Sequence, residues 1–439
     1  MSEMKQNPAT AKSPQREVYI VDGSRTPLLK AGGRPGPFAA ADLAVDAGRA
    51  LLAREPFAPT DLDEVVIGCV GPSQDEANIA RIISLRLGCG KKVPAYTVAR
   101  NCGSGMQAID SAYKDILLGR HDLVLAGGTE AMSRSPLLFN EQMVNWLADL
   151  NAAKSFPAKL KVFSRFRLSF LKPIISLVHG LTDPVVGMIM GQTAENLAYR
   201  FNITRQDMDE YALQSHQRVV NAQDNGYFKN ELVPIYDNEG KFYDADTGVR
   251  RDSSLEKLAK LKPFFDRKFG LVTAGNSAQV TDGAAMVILA SKEAVEKYKL
   301  PTLGRIVDVE WAGYEPENMG LSPVFAVAHL LMRNHLEFKD IDYWELNEAF
   351  AAQVIACLRA WADPEFCKKE FGRDAFGKID MAHFNVDGGG VALGHPVGAS
   401  GARIVLHLLE VMKRNNAKRG VATICIGGGQ GGAMLLERD

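Results

Sequence analysis

Cys102 sits in Asn101-Cys102-Gly103-Ser104-Gly105-Met106-Gln107-Ala108-Ile109, directly after the apolar run Ala95-Tyr96-Thr97-Val98-Ala99. A cysteine between a strand and a helix opened by small residues has its sulfur near the helix N-terminus. That positive dipole end favours thiolate, so the pattern predicts a lowered thiol pKa and a covalent nucleophile. The glycines let a substrate carbonyl approach the backbone, and helix amides can hold an oxyanion. The competing role is that of most lone cysteines, a small core residue.

Two later segments supply what such a thiolate needs. His395 lies in Gly394-His395-Pro396-Val397-Gly398-Ala399-Ser400-Gly401. A histidine pinned in a tight turn can take the Cys102 proton and later polarise a thioester oxygen; its competing role is capping or packing. Cys425 follows Val421-Ala422-Thr423-Ile424 and precedes Gly427-Gly428-Gly429. One cysteine can be acylated while a second moves a proton at a substrate carbon, as carbon–carbon bond chemistry beside a thioester requires. A dinucleotide-binding reading of this loop fails, because seven residues follow Gly432, too few for the helix and strand that fold needs. Asn347, in Glu345-Leu346-Asn347-Glu348-Ala349-Phe350, suits an oxyanion pocket, a helix N-cap, or both.

The elements that must position these residues alternate. Val18-Tyr19-Ile20-Val21 reads as a buried strand. Helical patterns over Ala41 to Ala53 and Ile79 to Leu87 then alternate with apolar runs at Val65 to Val70 and Leu123 to Ala126, which predicts α/β layers. Gly103 to Leu118 has one strongly apolar face. The far half echoes the near half. Asp61-Leu62-Asp63 matches Asp340-Ile341-Asp342, Gly103-Ser104-Gly105 matches Ala399-Ser400-Gly401, and Leu125 to Met132 matches Ile426 to Met434. These echoes predict a duplication of about half the chain. Between the halves, roughly Leu137 to Phe269, lie long helical patterns, including one from Thr204 to Asp224 capped by Thr204 and ended by Gly226.

With 51 basic and 52 acidic residues the net charge is −1, which argues against bulk nucleic-acid affinity. The six cysteines contain no C-x-x-C pair, so zinc-ribbon and thioredoxin-like readings fail, and their number predicts a reducing compartment. The polar start lacks a secretory core, and no apolar run approaches the ~20 residues that span a bilayer. The expectation is a cytoplasmic enzyme, with peripheral membrane contact as a variant of it.

Seven strings together resemble the thiolase family. They are Asn101 to Ile109, Gly127 to Ser133, Met190 to Asn196, Thr273 to Asn276, Asn347 to Phe350, Asn385 to Gly401, and Cys425 to Gly432, in family order. The resemblance implies two similar α/β halves in a five-layered arrangement with an inserted, mainly helical loop domain. It divides the chain into a flexible arm over 1–16, an N-terminal half over 17–136, the loop domain over 137–272, a return over 273–300 and a C-terminal half over 301–439. It implies that Cys102 accepts the acyl group, His395 activates it, and Cys425 moves the α-carbon proton. Asn347, through a water, and His395 would form one oxyanion hole; the backbone amides of Cys102 and Gly427 would form the other. Met190, Arg250, Phe265, Ala274, Ala278 and Phe350 would line the substrate site. No metal or redox cofactor is implied; coenzyme A and acyl-CoA are substrates. The activity implied is 3-ketoacyl-CoA thiolysis in fatty-acid β-oxidation, with acetoacetyl-CoA thiolase as the alternative and a ketoacyl synthase or a non-catalytic lipid-binding subunit behind it. A homodimer or homotetramer is implied, or a place in a β-oxidation complex.

Departures bear on the subclass. Many short-chain thiolases have serine where Ala278 stands and histidine where Ile189 stands. The stretch Leu147 to Leu181 is closer to β-subunits of fatty-acid oxidation complexes, yet those usually have histidine at the Asn347 position. Within 151–180 there are six Lys or Arg, no acid, and interleaved phenylalanines. Membrane contact, a partner subunit, steering of coenzyme A and a plain solvated loop all fit this composition.

Overall fold

The computed structural model describes residues 16–438. The arm expected over 1–16 lies outside the described residues except for Arg16, which reaches Asp122 at 2.6 Å and Glu293 at 2.8 Å. Ten strands form one mixed sheet. Nine follow the spatial order Tyr343–Leu346, Arg419–Ile426, Gln430–Glu437, Gly304–Gly313, Val18–Arg25, Thr281–Ser291, Leu123–Ala131, Glu64–Gly68, Ala95–Val98. The tenth, Leu29–Lys30, pairs beside Thr281–Ser291.

The centre of that order is a junction, where Tyr19 lies opposite Arg305 and Ile20 opposite Gly304. Outward from it the pairings repeat as antiparallel, antiparallel, parallel. One half runs from Val18–Arg25 through Thr281–Ser291 and Leu123–Ala131 to Glu64–Gly68. The other runs from Gly304–Gly313 through Gln430–Glu437 and Arg419–Ile426 to Tyr343–Leu346. Each innermost strand has a bulge, after Ile20 and after Ile306.

The aspartate echo has a physical task. The Asp63 carboxylate accepts the N–H groups of Asp122 and Leu123 at 2.7 and 2.9 Å. The Asp342 carboxylate accepts those of Lys418 and Arg419 at 2.8 and 2.9 Å. Each ties the start of its own strand to the start of the parallel neighbour. The third echo is corrected. Leu123–Ala131 corresponds to Arg419–Ile426, so Gly127 and Gly128 lie inside a strand while Gly427 and Gly428 lie in a turn. Glycine-rich strings carry few side chains to mark register.

Three apolar clusters reveal the layers. Ala40–Leu52 and Ile79–Arg86 cover one half-sheet. Ser322–Arg333 and Ala351–Ala362 cover the other. Ser104–Leu117 and Ser400–Arg414 share a cluster with both half-sheets and lie between them. The order is helices, sheet, helices, sheet, helices, the five-layered α/β arrangement expected. The two central helices touch at their starts: a Cβ on Gly105 would stand 2.8 Å from Ala402 N, and one on Gly401 2.5 Å from Met106 N. Glycine permits this approach, and it brings the Cys102 turn against the His395 loop.

In the connection 132–280, Met190–Arg200 and Arg205–Asp224 are the long helices packed on the core. Thr204 Oγ1 accepts the Asp207 N–H at 3.1 Å, and Asp207 accepts the Thr204 N–H at 3.0 Å, the reciprocal cap its sequence predicts.

Candidate active site

The Cys102 turn starts where strand Ala95–Val98 ends. Asn101 takes a left-handed φ of 43°, which asparagine tolerates better than most residues. Its Nδ2 donates to the Gly427 carbonyl at 2.9 Å. Ser104 Oγ accepts the Arg100 N–H at 2.8 Å and donates to the Asn101 carbonyl at 2.7 Å. The Arg100 guanidinium lies 4.3 Å over Trp311 and donates to Gln430 at 3.2 Å. The Cys102 turn is thereby fastened to the turn after Cys425. Cys102 is half-buried, and the N–H groups of Gly427 and of Cys102 itself face its sulfur.

Cys425 is buried at the end of its strand, paired with Gly431. The chain then reverses through Gly428 and Gly429, with φ of 88° and 72°. The two sulfurs lie close enough that a charge on Cys102 opposes ionisation of Cys425.

His395 is buried, and its N–H donates to the Gln279 carbonyl at 3.1 Å. Its Nδ1 stands 2.6 Å from Ser400 Oγ, which lies 3.0 Å from the Pro396 carbonyl. With the hydroxyl proton given to Pro396, Ser400 accepts from Nδ1–H. Nε2 then keeps its lone pair and can serve as a base. The Asn347 amide nitrogen is 3.5 Å from each ring nitrogen, and its Oδ1 has no hydrogen-bond partner among the described residues. The Asn347 N–H donates to Thr423 at 2.9 Å, which anchors it to the strand carrying Cys425. The helix beyond Asn347 begins at Ala351 with Phe350 in the cap position, so Asn347 is not its cap.

The electrostatics differ from the expectation at Cys102. Burial pushes its thiol up to about 11, although the Gly427 and Cys102 N–H groups pull the other way. The lowered pKa predicted from the helix terminus is therefore corrected: desolvation outweighs the amides. Burial, then the neighbouring Cys102 and Cys357 sulfurs, push Cys425 well above the ordinary thiol range. Burial, then Arg403, push His395 down to about 4. The resting site is a neutral imidazole beside neutral thiols, so the ring is free to accept a proton.

Met190, Phe265 and Phe350 form an apolar wall. Met190 Sδ lies 3.4 Å from where a Cβ on Gly427 would stand, and Phe265 meets Phe350 edge-on at 5.9 Å. Ala278 is held beside this wall by its N–H bond to the Ala349 carbonyl at 2.9 Å. Ala274 and Arg250 are exposed; the Arg250 side chain has no described hydrogen-bond partner and stands near Lys30.

Two residues given no role by the sequence prove structural to the site. Ser400 orients the imidazole. Buried Glu130 accepts the N–H groups of Val70, Gly71 and Gly398 at 2.9, 2.9 and 3.0 Å, clamping the loop that holds His395. Both lie inside quoted strings, but their long-range partners are invisible in one dimension. Among the described residues, one group has metal-ligand spacing, Glu64, Asp115 and His121; Glu64 opens the strand whose far end, Gly68, meets Ser104.

Comparison with known proteins agrees with the fold. Residues 18–293 match the family described as Thiolase, N-terminal domain, and residues 300–438 match Thiolase, C-terminal domain. The mitochondrial 3-ketoacyl-CoA thiolase of Bos taurus is 39% identical over 426 residues, 96% of this chain and 98% of that protein. The beta-ketoadipyl-CoA thiolase of Pseudomonas aeruginosa is 39% identical over 429 residues, covering 96% and 99%. The crystal structure of human mitochondrial 3-ketoacyl-CoA thiolase in complex with CoA superposes with a TM-score of 0.83 at 37% identity, covering 97% and 98%. Shared fold, matched domains and full-length relatives lead to one statement: the chain belongs to the thiolase family of acyltransferases.

Proposed function

We propose that this thiolase cleaves 3-oxoacyl-CoA with coenzyme A, giving acetyl-CoA and a shortened acyl-CoA. The observation that carries the reading is the Cys102 sulfur faced by two backbone N–H groups, with a second thiol, Cys425, in electrostatic reach. His395 Nε2 takes the Cys102 proton, and the thiolate adds to the C3 carbonyl. The Cys102 and Gly427 amides hold the resulting oxyanion. The C2–C3 bond breaks, its electrons pass to the acetyl-CoA enolate, and Cys425 protonates C2. His395 and Asn347, through a water, hold the enolate oxygen. The coenzyme A thiol then gives its proton to Cys425 and attacks the acyl-cysteine, and Cys102 leaves as a thiolate that His395 reprotonates.

Met190, Phe265, Ala274, Ala278 and Phe350 are assigned to the acyl and pantetheine wall. Arg250, with Lys30 beside it, is a cationic pair suited to the phosphates of coenzyme A. Fatty-acid β-oxidation is the proposed setting, in keeping with the printed name of the bovine relative. A homodimer or homotetramer is part of the reading. Ala95–Val98 ends the sheet with half-buried side chains, an edge that a second copy can cover.

Steady-state thiolysis across a chain-length series of 3-oxoacyl-CoA substrates tests the reading. Turnover on long as well as four-carbon substrates is expected. Turnover confined to the four-carbon substrate makes the protein an acetoacetyl-CoA thiolase instead.

A further inference from the structure

The helix that begins beside Cys102 ends at a cluster that the thiolase chemistry does not use. Glu64, Asp115 and His121 each offer one ligand atom, and the three atoms lie within 4.8 Å of one another. Asp115 stands in the last turn of Ser104–Leu117, roughly 16 Å along the helix axis from Ser104. The cluster is therefore separate from the site of Cys102, His395 and Cys425.

Fixed backbone brings these residues together. Glu64 opens its strand and pairs with Val124. Past Leu117 the chain turns through Gly119, whose φ is 72°. The Gly119 N–H donates to the Ile116 carbonyl and the Arg120 N–H to the Asp115 carbonyl, both at 2.9 Å. These two bonds form a Schellman turn, which sets the direction in which His121 leaves the helix. The next residue, Asp122, is held through its N–H by the Asp63 carboxylate. All three side chains thus stand on hydrogen-bonded backbone, the rigid support that a metal site needs.

One atom of the cluster lacks a partner. Glu64 is 9% exposed, and its Oε2 is buried with no hydrogen bond among the described residues. His121 Nε2 stands 3.6 Å from that oxygen, too far for a hydrogen bond. The charges that bear on Glu64 are those of His121 and Asp115, with no lysine or arginine among them. Arg120 reaches Asp115 Oδ1 at 3.3 Å, but from a largely exposed position where such a pair is weak. A buried carboxylate oxygen without a donor is costly and calls for a partner. A spacing of 3.6 Å is that of two ligands on one tetrahedral ion: arms of about 2.0–2.2 Å place their ends roughly 3.3–3.6 Å apart.

We infer that Glu64, Asp115 and His121 bind a divalent cation of the zinc type. One imidazole nitrogen and two carboxylates make a three-ligand set, and the nitrogen selects against calcium and magnesium, which take oxygen. The Asp115 and His121 side chains are partly exposed, which gives an entry path and leaves a fourth position for water. The bound ion ties the end of the helix to the starts of strands Glu64–Gly68 and Leu123–Ala131.

The test is equilibrium dialysis of the full chain against zinc, with Glu64→Gln and His121→Ala as variants. The unaltered chain is expected to bind one equivalent that each variant binds at least about tenfold more weakly. Zinc should raise the thermal midpoint of the unaltered chain and leave that of the variants in place. Cobalt in place of zinc should show d–d bands without a sulfur-to-metal charge-transfer band, because no thiol belongs to the ligand set. Both variants should keep thiolysis of a four-carbon substrate in the presence of a chelator, which reports that they fold. Absence of a bound equivalent overturns the inference, as does binding that survives either substitution. A sulfur charge-transfer band from that equivalent assigns the ion to cysteines and overturns it too.

Discussion

Leu123–Ala131 and Arg419–Ile426 hold equivalent places in the two half-sheets, yet they continue differently. The second runs through a three-residue glycine turn into Gln430–Glu437. The first runs into 132–280 before Thr281–Ser291 resumes the sheet. Strand order, bulges and the paired aspartates are shared, so the duplicated framework is a matter of satisfied backbone groups. The chemistry lies in the connections, where the halves diverge. One half presents Cys102 half-exposed, with the Gly427 N–H added to its own. The other presents Cys425 fully buried beside other thiols, a setting that suits proton transfer rather than attack.

The sharpest way to break this division is Cys425→Ala. Carbon–carbon cleavage should fall by about a hundredfold to ten-thousandfold, while acetyl-CoA still acylates Cys102. Single-turnover cleavage and intact mass measure the two separately. Equal loss of both would show that the cysteines do not divide the work.

Two buried histidines extend the comparison. His395 is held neutral, so the base form is present above pH about 4 and kcat/KM should fall as pH drops through that value. Burial opposes charge on His407 as well, but Glu231, Asp387 and Glu345 push it up to about 10. Its folded pKa lies above the unfolded one. Its stabilising contribution is therefore whole below pH about 6.5 and is lost as pH rises through about 10. A thermal melt series from neutral to alkaline pH should show that loss, and His407→Gln should flatten it.

The smallest effects test the shared framework. Asp63→Ala and Asp342→Ala each leave two strand-initial N–H groups without their acceptor. Each should cost about 1–3 kcal/mol, in similar amounts, by denaturant midpoint. A large inequality would mean that the echo is not a shared function.

Much of this was legible in one dimension because glycine and cysteine punctuate the relevant turns. Cys102, His395 and Cys425 stand in strings whose small residues announce close backbone approach, and Thr204 with Asp207 spelled out a cap. Other features needed the fold. The thiol pKa at Cys102 is set by how much protein surrounds it, which spacing does not encode. Ser400 and Glu130 work through partners: Ser400 through the ring five residues before it, Glu130 through Gly398 in the other half of the chain. The echo around Gly127 slipped register because strands made of glycine and alanine look alike. Asn347 as a cap was excluded only by the observed start of its helix at Ala351.

The most direct test of the central claim is to quench the enzyme during turnover of a 3-oxoacyl-CoA and map the acyl group by peptide mass spectrometry. The account predicts one acyl group, in thioester linkage on Cys102. An acyl group on Cys425, or turnover with no acylated cysteine, would contradict it.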